Sequence, residues 1–315
     1  MIRIAVVGSY GVGLVFRLAR MPDPGETLAG EEFRVDHGGK GSNQAVGMAR
    51  LGAQVALLTA VGDDEFGRGA RQLWLREGVG VTVVVARAST MAGAILVEPT
   101  GQNRIVIAPG ALAELRPEHV RDFAAEIGAA DVCVTGLEIP PDTAEEALRV
   151  ARERGVTTVL NPAPAPSHPV GPELLALADH LTPNVTELAR LTGLAGTGDR
   201  AVERAARALA GRSGGVVTVT RGAAGALVVS QGKAVPVAAD SVVAADTTGA
   251  GDAFTAAYAV AIAMGHGPVA AAYFACQAAG HSVRFAGVIP SLPHWRDLPG
   301  PPPPDAAEIE PATLA

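Results

Sequence analysis

The chain has 315 residues, enough for one large domain or two ordinary ones, and 48% of them are hydrophobic, which excludes a globally disordered protein. Its formal net charge is −7 and no long basic block occurs, which argues against a nucleic-acid binder held by a basic surface. Arginine supplies nearly all of the basic side chains, since the only lysines are Lys40 and Lys233.

Short apolar runs alternate with helical patterns along most of the chain. The runs predicted as buried parallel strands are residues 2–8, 54–60, 131–135, 156–160, 180–183 and 215–220. Between them, Pro117 can begin a helix that ends near Gly128, and Asp142 with Glu145 forms a capping box for a helix that runs to Gly155. This alternation predicts an α/β fold with a central, mostly parallel sheet that is flanked by helices on both faces.

Two regions interrupt the alternation. Residues 14–35 contain the turn-forming run Met21-Pro-Asp-Pro-Gly25, and residues 92–108 have the pattern of a hairpin formed by 94–98 and 104–108. We expect these regions, about residues 12–36 and 92–108, to form a small β-sheet that covers the main body as a lid.

The C-terminal third contains a long stretch without charge. Residues 253–283 lack Asp, Glu, Lys and Arg, but the break Gly265-His-Gly-Pro268 predicts two buried helices rather than a membrane span. Residues 1–298 are therefore expected to form one domain. Residues 299–315 are rich in proline and acids and are expected to be a disordered tail.

The two cysteines, Cys133 and Cys276, are too few for a disulfide framework or a multi-cysteine metal site, and both lie in apolar stretches typical of a core. The N-terminus leads directly into a predicted strand with no signal-peptide pattern. We expect a cytoplasmic protein without a membrane partner.

The first glycine motif is Gly8-Ser-Tyr-Gly11-Val-Gly13, which follows the first strand. Its order is G-x-x-G-x-G rather than the G-x-G-x-x-G of dinucleotide-binding proteins, and Met21-Pro-Asp-Pro-Gly25 leaves little room for the crossover helix that such proteins need. A nicotinamide site is therefore disfavoured.

A second glycine cluster, Gly38-Gly-Lys-Gly-Ser-Asn-Gln44, precedes a predicted helix. Its glycines allow a ligand to approach the backbone, and Lys40 and Asn43 offer donors to hydroxyl groups. No glycine loop ending in Gly-Lys-Ser/Thr occurs in the sequence, so a P-loop NTPase is excluded on this motif.

The sequence Asp246-Thr-Thr-Gly-Ala-Gly-Asp252 carries the strongest functional signal. A Gly-Ala-Gly turn that enters a helix exposes backbone N–H groups at the positive end of the helix dipole, where an anion can bind. Asp252 in the first helical turn could accept a proton from a hydroxyl beside that anion. The alternative is an ordinary helix start with an Asp that matches the dipole.

Two weaker signals lie between these motifs. Asn184 and Glu187 have the spacing of a capping box, but their oxygens could also hold the water shell of Mg²⁺ beside a phosphate. The run Thr220-Arg-Gly222-Ala-Ala-Gly225 has the pattern of a turn between two strands.

Taken in order, these motifs resemble those of the ribokinase-like (PfkB) family of carbohydrate kinases. The matching segments are residues 24–27, 38–45, 59–64, 136–138, 161–165, 182–187, 220–222 and 246–252, which span nearly the whole chain up to about residue 295. Gln44 and the run Asn161-Pro-Ala-Pro-Ala165 favour the ribokinase branch over the sugar-phosphate and nucleoside branches.

The resemblance implies an ATP-dependent, Mg²⁺-requiring kinase that acts on a primary hydroxyl of ribose or a ribose-like sugar. It also implies activation by K⁺ and a homodimer formed through the lid. The base would be Asp252, and the anion hole for the γ-phosphoryl group would be the backbone of Gly249, Ala250 and Gly251. The residues expected at the sugar are Gly39, Lys40, Asn43 and Glu138.

The same resemblance implies the nucleotide and cation sites. Asn184 would help to position the metal-bound nucleotide, and Glu187 would hold Mg²⁺ through water. The residues expected along the nucleotide are Thr220, Gly222 and Gly225. Those expected around the monovalent cation are Asp246, Thr248, Ser282, Gly287 and Ser291.

One departure from the family pattern bears on the substrate. Ribokinases usually carry an Asn and an Asp after the first strand, where this chain has Gly11 and Gly13, and His37 is a candidate replacement donor. The alternatives are therefore a nucleoside kinase or other non-ribose kinase of the same fold, or a sugar- and nucleotide-binding protein with impaired turnover.

Overall fold

The computed structural model describes residues 1–100, 102–165 and 170–300. Within these residues nine strands form one large sheet in the order β13-β12-β11-β10-β9-β8-β1-β4-β5. All its neighbours are parallel except β11/β12 and β12/β13. The strands are β1 (Arg3–Val7), β4 (Gln54–Gly62), β5 (Gly80–Ala86), β8 (Val132–Gly136), β9 (Thr157–Asn161), β10 (His180–Leu181), β11 (Val216–Thr220), β12 (Ala226–Ser230) and β13 (Lys233–Val237).

Helices cover both faces of this sheet, as the alternation predicts. They are α1 (Lys40–Arg50), α2 (Glu65–Glu77), α3 (Pro117–Asp122), α4 (Ala124–Gly128), α5 (Pro141–Glu153), α6 (Pro172–Ala176), α7 (Val185–Thr192), α8 (Asp199–Ser213), α9 (Ala250–Ala263), α10 (Pro268–Ser282) and α11 (Val288–Ser291). Successive strand residues point to opposite faces, so Val6 joins the core beneath α1 and α9 while Val7 joins the core on the other face.

The uncharged stretch forms α9 and α10, which pack against each other as the Gly265–Pro268 break predicts. In the described parts of the chain no helix has the length and apolar character needed to cross a membrane.

A second, separate sheet has the order β3-β2-β6-β7 among the described residues. Its strands are β2 (Gly11–Arg17), β3 (Glu32–Gly38), β6 (Met91–Val97) and β7 (Asn103–Ala108). β2 pairs with β6 in parallel and with β3 in antiparallel orientation. This small sheet is made of the two regions that interrupt the alternation, so the prediction of a separate small β-sheet is confirmed.

Several local predictions are corrected. α5 begins at Pro141, one residue before Asp142, because proline has the fixed φ and lacks the N–H that a first helical position does not need; the capping box at Asp142 does not form. The helix expected from Pro117 to Gly128 is divided at Phe123 into α3 and α4. The expected disordered tail lies, from residue 301 onward, outside the described residues.

Candidate active site

Two helix N-termini meet above the carboxyl ends of the parallel strands. α1 begins after Gly39 and α9 begins after Gly249, and both glycines have a positive φ, 88° and 82°. The two helices pack against each other, so their dipoles add positive potential at one place. The turn Gly249-Ala250-Gly251 opens α9 there, which is the geometry expected of an anion hole.

Asp252 lies in the first turn of α9 and is 5% exposed. Two side-chain amides from α1 hold its carboxylate: Asn43 Nδ2 donates to Oδ2 at 2.9 Å, and Gln44 Nε2 donates to Oδ1 at 3.1 Å. Because each oxygen has a donor of its own, the carboxylate is fixed in one orientation at the mouth of the turn.

A chain of hydrogen bonds extends this support into the sheet. Gln44 Nε2 also donates to Asn161 Oδ1 at 3.2 Å, and Asn161 Nδ2 donates to the carbonyl oxygen of Thr182 at 2.9 Å. The Thr182 hydroxyl lies 3.3 Å from the hydroxyl of Thr255, one turn beyond Asp252 on α9. Sequence reasoning used Gln44 and Asn161 only as family markers and missed this contact, because no local pattern connects positions so far apart.

Asn43 carries an unused acceptor beside Asp252. Its Oδ1 oxygen is buried and has no hydrogen-bond partner among the described residues. A buried acceptor without a donor is costly, so this oxygen favours a ligand that brings a hydroxyl group.

Lys40 and Glu138 lie at the start of α1 and after β8. The charge of Asp252 raises the pKa of Lys40 most, with further contributions from Glu138 and Glu187, so the ammonium group is firmly charged. Glu138 Oε2 accepts bonds from Ser9 Oγ at 2.5 Å and from the Lys40 backbone N–H at 2.9 Å. Glu138 therefore holds the start of α1 in place. Its hydrogen bond from Ser9 has no counterpart in any local sequence pattern.

A cavity of about 480 Å³ adjoins Ala250 and Gly251 at the start of α9. Its lining includes Thr220, Gly222 and Gly225 together with Ala250 and Gly251, so the structure brings the residues expected at the nucleotide to the same cavity as two residues of the glycine turn. Cys276 also lines this cavity, and both it and Cys133 are buried core residues, as the sequence predicts.

Asn184 and Glu187 form the capping box of α7 that their spacing predicts: Asn184 Oδ1 accepts from the Glu187 N–H, and Glu187 Oε2 accepts from the Asn184 N–H, both at 2.8 Å. Asn184 also bridges to Thr220 across the strand ends, which brings α7 beside the cavity. Burial raises the pKa of Glu187, so its ionised form would gain from a nearby cation.

The residues expected around a monovalent cation are only partly brought together. Asp246 Oδ1 accepts from the Thr248 N–H at 2.9 Å, and its Oδ2 accepts from the Gly287 N–H at 3.1 Å. The hydroxyls of Ser282 and Ser291 instead donate to carbonyl oxygens of their own turns. Against the effect of burial, the bonds from Thr248 and Gly287 hold the pKa of Asp246 below its ordinary value, so the loop keeps a negative charge.

His37 does not replace the side chains absent at Gly11 and Gly13. It pairs with Val12, whose side chain is on the opposite face of β2 from Gly13, and its Nδ1 lies 2.7 Å from the hydroxyl of buried Tyr10. The structure therefore assigns His37 to packing against the core.

Comparisons with known proteins agree with this geometry. A model of the "pfkB family carbohydrate kinase" matches residues 1–295. The chain is 36% identical over 292 residues to ribokinase from Haemophilus influenzae, covering 92% of this chain and 95% of that protein. It is 39% identical over 264 residues to ribokinase from Mus musculus, covering 82% and 81%. The structure of Arabidopsis thaliana ribokinase complexed with ribose and ATP superposes with a TM-score of 0.87 at 30% identity, covering 94% of this chain and 97% of that one.

Proposed function

The chain belongs to the pfkB family of carbohydrate kinases, and we propose that it transfers the γ-phosphoryl group of ATP to a primary hydroxyl of ribose or a ribose-like sugar. One observation carries the proposal: an oriented, buried carboxylate, Asp252, lies at the mouth of a helix N-terminus that opens into a 480 Å³ cavity. A substrate hydroxyl between that carboxylate and a phosphate at the turn would have a base to accept its proton and a phosphoryl group to attack.

The chain contributes mainly alignment and charge to this reaction. Asp252 accepts the proton of the attacking hydroxyl, and the N–H groups of the Gly249–Gly251 turn stabilise the charge on the transferred group. Lys40 supplies a fixed positive charge beside the same point. Asn43 Oδ1 accepts a hydrogen bond from a second hydroxyl of the sugar.

Mg²⁺ fits beside Glu187, because this ion keeps several waters and needs few protein ligands, and because burial raises the pKa of this carboxyl, whose ionised form a cation would stabilise. When bound, the ion neutralises charge on the phosphates of ATP. No cluster of three His, Cys, Asp or Glu residues able to hold a metal occurs within residues 1–100, 102–165 and 170–300.

The variant Glu187→Gln tests this role. It keeps an acceptor for the Asn184 N–H but removes the charge, and we expect the Mg²⁺ concentration for half-maximal rate to rise about tenfold. The raised pKa of Glu187 means that its contribution to stability is present at low pH and is lost as pH rises through the folded pKa. The melting temperature of the variant should therefore equal or exceed that of the original chain at neutral pH, with the difference vanishing in acid.

Glu187→Leu is the matched control, because it removes the capping acceptor as well and should cost about 1 kcal/mol of stability. An unchanged Mg²⁺ requirement in Glu187→Gln would show that the ion is held elsewhere.

We further propose that K⁺ activates the enzyme through the loop around Asp246. The lowered pKa and the bonds from Thr248 and Gly287 give this loop a fixed negative charge next to the anion-hole turn, which fits a weakly hydrated cation. The rate should be several-fold higher in K⁺ than in Na⁺ or a bulky organic cation at equal ionic strength. Equal rates in all three salts would contradict the proposal.

A homodimer through the small sheet is also part of the proposal. One face of this sheet carries exposed apolar side chains, including Phe33, Val35 and Val106, which are 56%, 47% and 73% exposed. Exposed apolar patches of this kind mark interaction surfaces. The cytoplasmic location expected from the sequence stays a prediction.

The proposed function is tested by measuring ADP release with a panel of sugars, polyols and nucleosides. Acceptor-dependent ADP release with a pentose supports it. Preferred release with a nucleoside would support the alternative, a nucleoside kinase of the same fold. The absence of side chains at Gly11 and Gly13 on β2 favours that alternative. Nucleotide binding without any acceptor-dependent release would instead identify a binding protein and overturn the proposal.

A further inference from the structure

One row of residues crosses the small sheet from edge to edge. Asp36 on β3 pairs with Gly13 on β2, Gly13 pairs with Gly93 on β6, and Gly93 pairs with Ile107 on β7. Residues that pair directly across strands project to the same face. The Asp36 side chain therefore lies on a face where its two nearest neighbours in the row, Gly13 and Gly93, have no side chain.

This face, which we call the Asp36 face, lies near the Asp246 loop. Arg34 lies two residues before Asp36 and so projects to the same face. The pKa of Arg34 is raised, first by its hydrogen bond to Asp36 and further by the charges of Glu32 and Asp246. β3 also packs against α11, which follows Gly287 of the Asp246 loop. The opposite face carries His37, which packs on Tyr10 in the core.

One hydrogen bond orients the Asp36 carboxylate and occupies one of its two oxygens. Arg34 Nε donates to its Oδ2 at 2.8 Å, which fixes the carboxylate and leaves Oδ1 outside that bond. The side chain is 36% exposed, so a ligand can reach it. An oriented carboxylate with a free oxygen is a strong acceptor for hydroxyl groups.

The two glycines beside Asp36 leave a trough with apolar walls. A Cβ at Gly13 would lie 3.1 Å from Ile95 Cδ1, and one at Gly93 would lie 3.8 Å from Ile107 Cγ1. Both isoleucine side chains therefore lie close against these glycines. This part of the face therefore presents an apolar surface to a carbon edge or substituent, and the two glycines offer no side-chain partner for hydroxyls.

We propose that Asp36 is the specificity-determining acceptor of this kinase, and that its substrate is a polyol with a hydroxyl pair beneath β3 and a carbon-only edge or substituent beneath Gly13 and Gly93. Adjacent strands lie about 4.8 Å apart, so the carboxylate that grips the substrate is displaced by one strand from position 13. The inference rests on the proposed function and names the substrate class of the same site.

The first test compares Asp36→Asn with Glu32→Gln. Glu32 lies on the same strand and face, is 53% exposed and pairs with Arg17. Its substitution therefore removes a similar surface charge at a position that does not face the trough. For the best acceptor of the panel, Asp36→Asn should raise KM about ten- to hundredfold while kcat changes about threefold or less, because the hydroxyls involved are remote from the reacting one. Glu32→Gln should leave both unchanged, and neither should alter the affinity for ADP.

The second test moves the carboxylate from β3 to β2 in Asp36→Ala/Gly13→Asp. Gly13 lies in a regular strand without a positive φ, so the new side chain requires only a small shift of the flexible end of Ile95. The double variant should lose its preference for the original acceptor and gain kcat/KM for ribose. Melting curves confirm folding.

The inference is overturned if Asp36→Asn keeps a KM within about twofold of Glu32→Gln, or if the double variant keeps the original preference. Failure of the unmodified chain to phosphorylate any member of the panel is a different result, because it overturns the proposed function itself and the inference with it.

Discussion

Asp252→Asn should reduce turnover by at least about two orders of magnitude, the effect expected on removing a positioned general base. The amide is nearly isosteric, but it cannot accept the proton of the attacking hydroxyl. It must also face two donors, Asn43 Nδ2 and Gln44 Nε2, with only one acceptor oxygen. The measurement is kcat by ADP release, with the affinity for ADP determined by titration.

The affinity for ADP should change little, because the cavity proposed for the nucleotide is lined by other residues. Asp252→Glu is the matched variant: it restores the carboxylate but displaces it by one methylene, so it should recover part of the lost rate. If Asp252→Asn kept more than about a tenth of the original turnover, Asp252 could not be the base.

Gly249→Ala should lower kcat/KM about a hundredfold, because a displacement of about 1 Å in an aligned site has this effect. Gly249 caps α9 at a φ of 82°, where a side chain is strained, and its Cβ would lie 2.6 Å from Val288 Cγ1. Relief of this contact moves either the anion-hole turn or α11. The measurement is steady-state kinetics together with a melting curve.

Gly265→Ala is the control at the other end of α9. Gly265 has a similar φ of 87°, but its Cβ would have no neighbour within 4 Å, so this variant carries the backbone strain without the collision. Both variants should lose about 1 kcal/mol of stability through strain, and only Gly249→Ala should lose activity. Equal activity in the two variants would show that the turn does not need its present geometry.

The α/β architecture could be predicted from the sequence because buried parallel strands are short apolar runs and the helices between them have clear boundaries. The small sheet could be predicted because turn-rich residues interrupted that alternation. Two strands, β5 and β13, lie outside the runs predicted from the sequence. β5 contains the β-branched run Val81-Thr-Val-Val-Val85, a strand signal that was overlooked. β13 contains Pro236, which an edge strand tolerates and which weakens the strand pattern.

The sequence motifs located the principal parts of the candidate site, but not the contacts that orient them. The glycine turn before Asp252 and the cluster around Lys40 each have a local pattern. The bonds from Gln44 to Asp252 and Asn161, and the placement of Asp36 beside Gly13, depend on the packing of distant segments and on strand register. Neither is encoded in a local spacing.

The position of the phosphate on the product reports which hydroxyl lies between Asp252 and the glycine turn. The unmodified chain is incubated with Mg²⁺, ATP and the best acceptor, and the product is examined by phosphorus NMR with proton coupling. We expect one ADP for each phosphorylated sugar, and a phosphorus signal split by the two protons of a hydroxymethyl carbon. A phosphate on a secondary or anomeric hydroxyl, or free phosphate alone, would contradict the placement of a primary hydroxyl between Asp252 and the anion-hole turn.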